Sequence, residues 1–166
     1  MMRWQRVLRH LFTDHWSVRR AFPPATMRAI RDKIGDQERR HGGELRFAVE
    51  ASLPLLHLWR GQDARSRAVE LFGQLRVWDT ENNSGVLIYL LLADKRVEIV
   101  ADRGIHNKVG GTAWEAICGE MQRAFADRRF EQGVSFGVAA ISDLLAAHYP
   151  PGEARRNELP NEPVVV

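Results

Sequence analysis

Asp79, Glu81, Asn82, Asn83, Asp102, Arg103 and His106 are the residues of this chain whose types and spacing could do chemistry. The carboxylates of Asp79, Glu81 and Asp102, with the side-chain amides of Asn82 and Asn83, are hard oxygen donors of the kind that hold calcium or magnesium. A divalent cation held by Asp79, Asp102 and nearby acids would polarise a phosphoryl group and activate water. Arg103 would hold the phosphate, and His106 could protonate the leaving group. Gly85 and Gly104, lacking side chains, would let a ligand approach the backbone. A plainer reading stands beside this one. Asp79, Asn82 and Asn83 are common turn formers that bond their own backbone, Asp102 can end a strand, and Glu81 can be solvated. Composition alone favours the plainer reading.

Two strands must position these residues. Val86 to Leu92 is an apolar run, and Val97-Glu98-Ile99-Val100-Ala101 follows a short polar break; apolar runs bounded by turn residues mark adjacent strands. Asp94 and Lys95 are read as a two-residue turn, which makes a hairpin. That turn sets the register so that Gly85 faces Gly104 and Asn83 faces His106. The polar runs on either side of the hairpin then meet at one end of it.

Upstream, Trp4, Val7, Leu8, Leu11 and Phe12 recur at helical spacing with Arg3, Arg6, Arg9 and His10 between them. Residues 1–21 are therefore an amphipathic basic helix or arm. It either docks on the body or attaches to an anionic membrane surface or a partner; docking is preferred, because amphipathic helices are ordinarily core elements. Pro23-Pro24 opens a second helix through Met27, Ile30 and Ile34, and residues 44–51 alternate as a strand. Asp63 is placed to cap a helix carrying Ala68, Val69, Leu71 and Phe72. Trp78 is read as a packing residue that closes the crossover into the hairpin.

After the hairpin, Thr112 is read as the cap of a helix through Trp114, Ile117, Cys118, Met121 and Phe125. Cys118 lies in its apolar stripe, as a small hydrophobe rather than a nucleophile. Arg128 and Arg129 read as a solvated junction, and Phe130 to Tyr149 as the last helix. Residues 22–149 thus form an α/β domain. A strand-helix-strand crossover makes its first two strands parallel, and the helices cover both faces of a small mixed sheet. The architecture is a Rossmann-like three-layer α/β/α sandwich. Residues 150–166, proline-rich and without periodicity, are read as a disordered C-terminal tail.

The chain has 166 residues, 45% hydrophobic and 27% charged, which suits one soluble globular domain. The net charge of +3 is too small to argue for nucleic acid, but residues 1–20 carry +4 and the remainder −1. The five tryptophans are scattered and make no nucleic-acid stripe. A lone cysteine allows no intrachain disulfide. No apolar run reaches transmembrane length, and arginines interrupt the N-terminus where a signal core would lie. These features point to the cytoplasm. Phosphate-loop, dinucleotide, paired-histidine zinc and nucleophile-elbow motifs are all absent.

The run Asn83-Ser84-Gly85-Val86-Leu87-Ile88-Tyr89-Leu90-Leu91, followed by Arg96-Val97-Glu98-Ile99-Val100 and Asp102-Arg103-Gly104-Ile105, resembles the TPM domain family. Ala68 to Phe72 is similar to the family's helix before that loop, and Phe130-Glu131-Gln132-Gly133 to its junction into the last helix. The likeness spans about residues 22–149. It implies an α/β/α sandwich, and it implies a site for a divalent cation, notably calcium, at the end of the hairpin. Some members are credited with acid phosphatase activity, and others serve membrane complexes. The chain departs from the family's Gly-Tyr-Gly-Leu-Glu: Asp102 stands for the first glycine, Arg103 for tyrosine and His106 for glutamate. The next acidic position falls near Gly110-Gly111. Two readings follow. The preferred one is a non-catalytic domain that binds a protein partner or supports a membrane-associated complex from the cytoplasm. The other is a metal-dependent phosphatase-like hydrolase of phosphomonoesters.

Overall fold

The computed structural model describes residues 4–152 and 157–166. Its elements are α1 (Trp4–Phe12), α2 (His15–Ala21), α3 (Pro24–Glu38), β1 (Glu44–Glu50), α4 (Leu55–Trp59), α5 (Ala64–Gln74), β2 (Gly85–Leu91), β3 (Arg96–Ala101), α6 (Arg103–Val109), α7 (Gly111–Ala126), α8 (Phe130–His148) and β4 (Val164–Val165). The sheet runs β3-β2-β1-β4. β1 is parallel to β2 and to β4, and β3 is antiparallel to β2.

Both faces of the sheet are buried, because alternate residues of β1 and β2 feed separate cores. Leu45, Phe47, Val49, Val86, Ile88 and Leu90 pack with Ile30 and Ile34 of α3, Met121 of α7 and Ile141 of α8. Ala48, Leu87, Tyr89 and Leu91 pack on the other face with Leu58 of α4 and Ala68 and Leu71 of α5. Each large side chain so buried is worth about 1.5–3 kcal/mol before ordering costs. A sheet buried on both faces under helices is the expected α/β/α sandwich, with β1 and β2 parallel as read. Asp63 caps α5 as anticipated, in a reciprocal box with Ser66. Burial pushes the Cys118 thiol up to about 11, consistent with a packing role.

Four expectations are corrected. Thr112 lies inside α7, whose cap is Gly110 at φ 85°. Trp78 is half exposed; its neighbour Val77 takes the buried place. The C-terminal stretch 157–166 is ordered: Val164 and Val165 pair with Ala48 and Val49, and Val166 donates its N–H to the Val49 carbonyl at 3.0 Å. Without this segment β1 would be an edge strand with unpaired backbone groups. Buried charges on β1 also need it. Arg46 donates to the Pro160 carbonyl at 2.9 Å, and the Glu44 carboxylate accepts from the Leu159 N–H at 3.2 Å. Residues 153–156 of the tail lie outside the described residues.

The fourth correction concerns the arm. It docks, but as two helices broken where Asp14 caps α2. Val18 and Phe22 enter the core, whereas α1 is held by its polar side. The Arg6 guanidinium meets Asp94 at 2.8 Å and the Gln62 carbonyl at 2.8 Å. His10 Nδ1 accepts from the Leu53 N–H at 2.8 Å, which leaves Nε2 to donate to Asp94 at 3.1 Å. Burial by itself would raise the Asp94 pKa. The hydrogen bonds from His10 and Arg6, with the charge of Arg6, outweigh it and hold the carboxyl well below the usual carboxylate range. Asp94→Ala leaves the buried His10 N–H without an acceptor, so a stability loss of about 2 kcal/mol is expected in urea unfolding. The native pKa lies below the unfolded value of about 3.9. The Asp94 contribution is therefore present above pH ~4 and fades as pH falls further. Asp94→Ala should lie below wild type at neutral pH, and the gap should narrow in acid.

Candidate functional site

The polar runs before β2 and after β3 do meet, at the end of the sheet where β1 and β2 begin. The register differs from the sequence reading by two residues: Val86 pairs with Ala101 and Leu91 with Arg96. Asp102, rather than Gly104, then comes across from Gly85, its N–H donating to the Gly85 carbonyl at 2.8 Å. The turn is four residues long, Leu92 to Lys95, closed by Lys95 N–H to Leu92 C=O at 3.0 Å. Lys95 takes the left-handed position at φ 52°, which glycine or asparagine would ordinarily announce. Beyond β3 the chain turns at once into α6, so Asn83 meets Ile105 rather than His106, with Ile105 N–H bonded to the Asn83 carbonyl at 3.2 Å.

Asp102 ends β3 and caps α6. Its Oδ1 accepts from the Arg103 N–H at 2.6 Å, and its Oδ2 is buried without a hydrogen-bond partner. Arg103 and His106 are exposed on α6. Asn82 and Asn83 are exposed on the facing loop, Asn83 at φ 49°. Asp79 is turned to Arg76, 3.2 Å away across a short turn. Glu81 is exposed, and its N–H donates to the Glu158 carboxylate at 3.0 Å.

The two glycines do not open the backbone to a ligand; the chain itself fills the space. A Cβ on Gly85 would lie 1.9 Å from the Val77 carbonyl oxygen. One on Gly104 would lie 2.5 Å from the Asn83 carbonyl oxygen and 2.9 Å from the Tyr149 hydroxyl. The structure therefore brings Asn82 and Asn83 against the Asp102–Ile105 turn, while Asp79 is engaged elsewhere. Among the described residues no three carboxylate, imidazole or thiol groups cluster as metal ligands would. Asp102 Oδ2 stays buried without a hydrogen-bond partner beside Asn82 and Asn83.

Two features escaped the sequence reading. Glu158, in the stretch read as tail, folds back to the site. No local signal marks it, because its role depends on β4 pairing with Ala48 and Val49, 116 residues earlier in the chain. At the opposite end of the sheet, a groove of about 1180 Å³ runs between α2, α3, α7 and α8, and Arg20, Lys95, Arg128 and Arg129 contribute to its lining. The carboxyl ends of parallel strands are the usual place for ligands in open α/β sheets. The adjacent Arg128 and Arg129 were the available signal.

The sequence model of the TPM domain matches residues 19–144. The NMR structure of the BA42 protein from the psychrophilic bacterium Bizionia argentinensis is similar at a TM-score of 0.76 and 30% identity, over 86% of this chain and 93% of that one. The N-terminal domain of a protein from P. gingivalis shares the fold at a TM-score of 0.61 and 20% identity, over 78% of this chain and 82% of the other. No curated protein matches the chain. Among the described residues no helix is long and apolar enough to cross a membrane. With three quarters of its length matched, the chain belongs to the TPM domain family.

Proposed function

We propose that this TPM domain is a non-catalytic binding module that engages a protein partner, or supports a membrane-associated complex, from the cytoplasm. The loops at the amino ends of β1 and β2 are its recognition surface for the partner. The observation that carries this reading is the employment of the acids there: Asp102 caps α6 and Asp79 pairs with Arg76. Groups held by such local bonds give a loop a defined shape, which a binding surface needs.

The second reading, a metal-dependent phosphatase-like hydrolase, is favoured by one observation, the buried and unpartnered Asp102 Oδ2. Asp102→Asn separates the two. Asparagine caps a helix about as well as aspartate, so the variant should fold, but it loses the anionic ligand. A chromogenic phosphomonoester assay with calcium or magnesium should show no turnover above the buffer control for either protein, and calorimetry should show weak calcium binding at most. Metal-dependent turnover that disappears in Asp102→Asn would overturn the binding-module reading in favour of the hydrolase.

A further inference from the structure

We propose that the end of the domain formed by α1 and α4 is a docking face for an anionic lipid bilayer. Helix α1 is mounted inside out. With about 3.6 residues per turn, Arg6, Val7 and His10 share one side, and Trp4, Leu8 and Phe12 share the opposite side. The first side is the one held against the body, with His10 buried on Asp94 and Val7 buried beside it. The second is left outside: Trp4 is 74% exposed, Phe12 82% and Leu8 49%. A helix that merely covers a core shows the reverse arrangement.

Helix α4 also leaves apolar side chains outside: Leu55, Leu56 and Trp59 are exposed. That helix sits between Leu53 and Gln62, and both of those residues are bonded to α1. Two neighbouring helices thus present tryptophan, leucine and phenylalanine outward. Large apolar side chains gathered outward on neighbouring helices mark an interaction site, and tryptophan is the side chain favoured at the membrane-water boundary.

Charge selects the occupant. Arg9 is exposed on α1, and Arg19 and Arg20 are exposed on α2. Thr13 and Ser17, at the α1–α2 junction, line the groove to which Arg20, Lys95, Arg128 and Arg129 contribute. Its acidic lining residue, Glu131, is engaged by the Thr26 hydroxyl at 2.8 Å. Arg129 pairs with Asp127 at 3.0 Å and Arg9 reaches Asp94 at 3.7 Å, but basic side chains still outnumber the acids beside these apolar ones, which complements a bilayer whose headgroups are phosphates and whose interior is hydrocarbon. A second copy of the chain would bring the same cations together and be repelled.

The face deepens the reading of a module that serves a membrane-associated complex and rests on it for its purpose. Its test is independent of the phosphatase assay, since α1 and Asp102 lie at different ends of the sheet. The full chain should be sedimented with vesicles of phosphatidylcholine alone and of phosphatidylcholine with roughly one third phosphatidylglycerol. Partition should be about tenfold stronger on the anionic vesicles and should weaken with added salt. The double variant Trp4→Glu, Phe12→Glu should lose that partition about tenfold while melting at the wild-type temperature, because both side chains lie outside the core. Equal partition on neutral and anionic vesicles would overturn the proposal, as would a double variant that binds like wild type. A concentration-dependent dimer abolished by the same variant, without vesicle binding, would instead assign the face to a second copy.

Discussion

Gly85→Ala should destabilise the domain by about 3 kcal/mol, among the larger effects a single methyl group can have. The new Cβ would lie 1.9 Å from the carbonyl oxygen of Val77 and 3.0 Å from its carbonyl carbon. Both are backbone atoms, so no rotamer change relieves the clash. Val77 is fully buried and fixed by the turn that follows α5, with its N–H bonded to the Phe72 carbonyl at 3.0 Å. Gly85 is held equally firmly. It pairs with Glu44 on β1, and its carbonyl accepts from Asp102 on the other side. Relief therefore requires either the start of β2 or the α5 turn to move, and both shape the candidate site. Gly73→Ala is the control. Gly73 lies in α5 with open space around it, and there alanine should stabilise by about 0.5–1 kcal/mol. Urea unfolding of both variants measures the contrast. A Gly85→Ala protein within about 0.5 kcal/mol of wild type would show that the contact with Val77 is not as tight as described.

That glycine also illustrates how much of the molecule could be read beforehand. The alternation Leu45, Phe47, Val49 and the apolar runs of the hairpin announce β1, β2 and β3, because burial at period 2 is a local pattern. The long helices announce themselves in the same way. The convergence of Asn83 and Asp102 followed from the hairpin alone. What escaped depends on contacts distant in sequence or on elements too short for a period. Helix α6 buries a single residue fully, Ile105, and α4 has five residues. The register slipped because Lys95 occupies a left-handed position and because Asp94 is shaped by Arg6, 88 residues away. β4 is two residues beside a proline, legible only from the edge of β1 that it covers. The outward face of α1 was the hardest to foresee. Its apolar stripe is plain in the sequence, but which side docks is decided by Asp94, and apolar periodicity alone would choose the other side.

Arg67→Met should cost about 3–5 kcal/mol, by leaving a buried carboxylate without its counter-charge. Arg67 on α5 grips Glu50 at the end of β1 with two parallel bonds, Nε to Oε2 at 2.9 Å and Nη2 to Oε1 at 3.0 Å. The Tyr89 hydroxyl donates to the same Oε2 at 2.7 Å, and Arg67 reaches Glu70 at 3.1 Å. The side chains of Glu50 and Arg67 are only 5% and 10% exposed. Tyr89 belongs to the smaller core, with Leu87 and Leu91. The pair gains little over an apolar cluster, but half of it is worse than none. The triple replacement Glu50→Leu, Arg67→Met, Tyr89→Phe removes every partner at once and should recover most of what Arg67→Met loses. Tyr89 adds a pH signature. Burial, and then the adjacent Glu50 carboxylate, push its phenol far above the ordinary range. The native state therefore keeps this proton where an unfolded tyrosine, with a pKa of about 10, releases it. Stability falls as pH rises above that value, and the triple variant should lose this part of the alkaline slope. Unfolding free energies for the three proteins between neutral pH and about pH 11 test both statements. A single Arg67→Met variant as stable as wild type would mean that Glu50 finds water or another cation, and that the smaller core is not closed at this point.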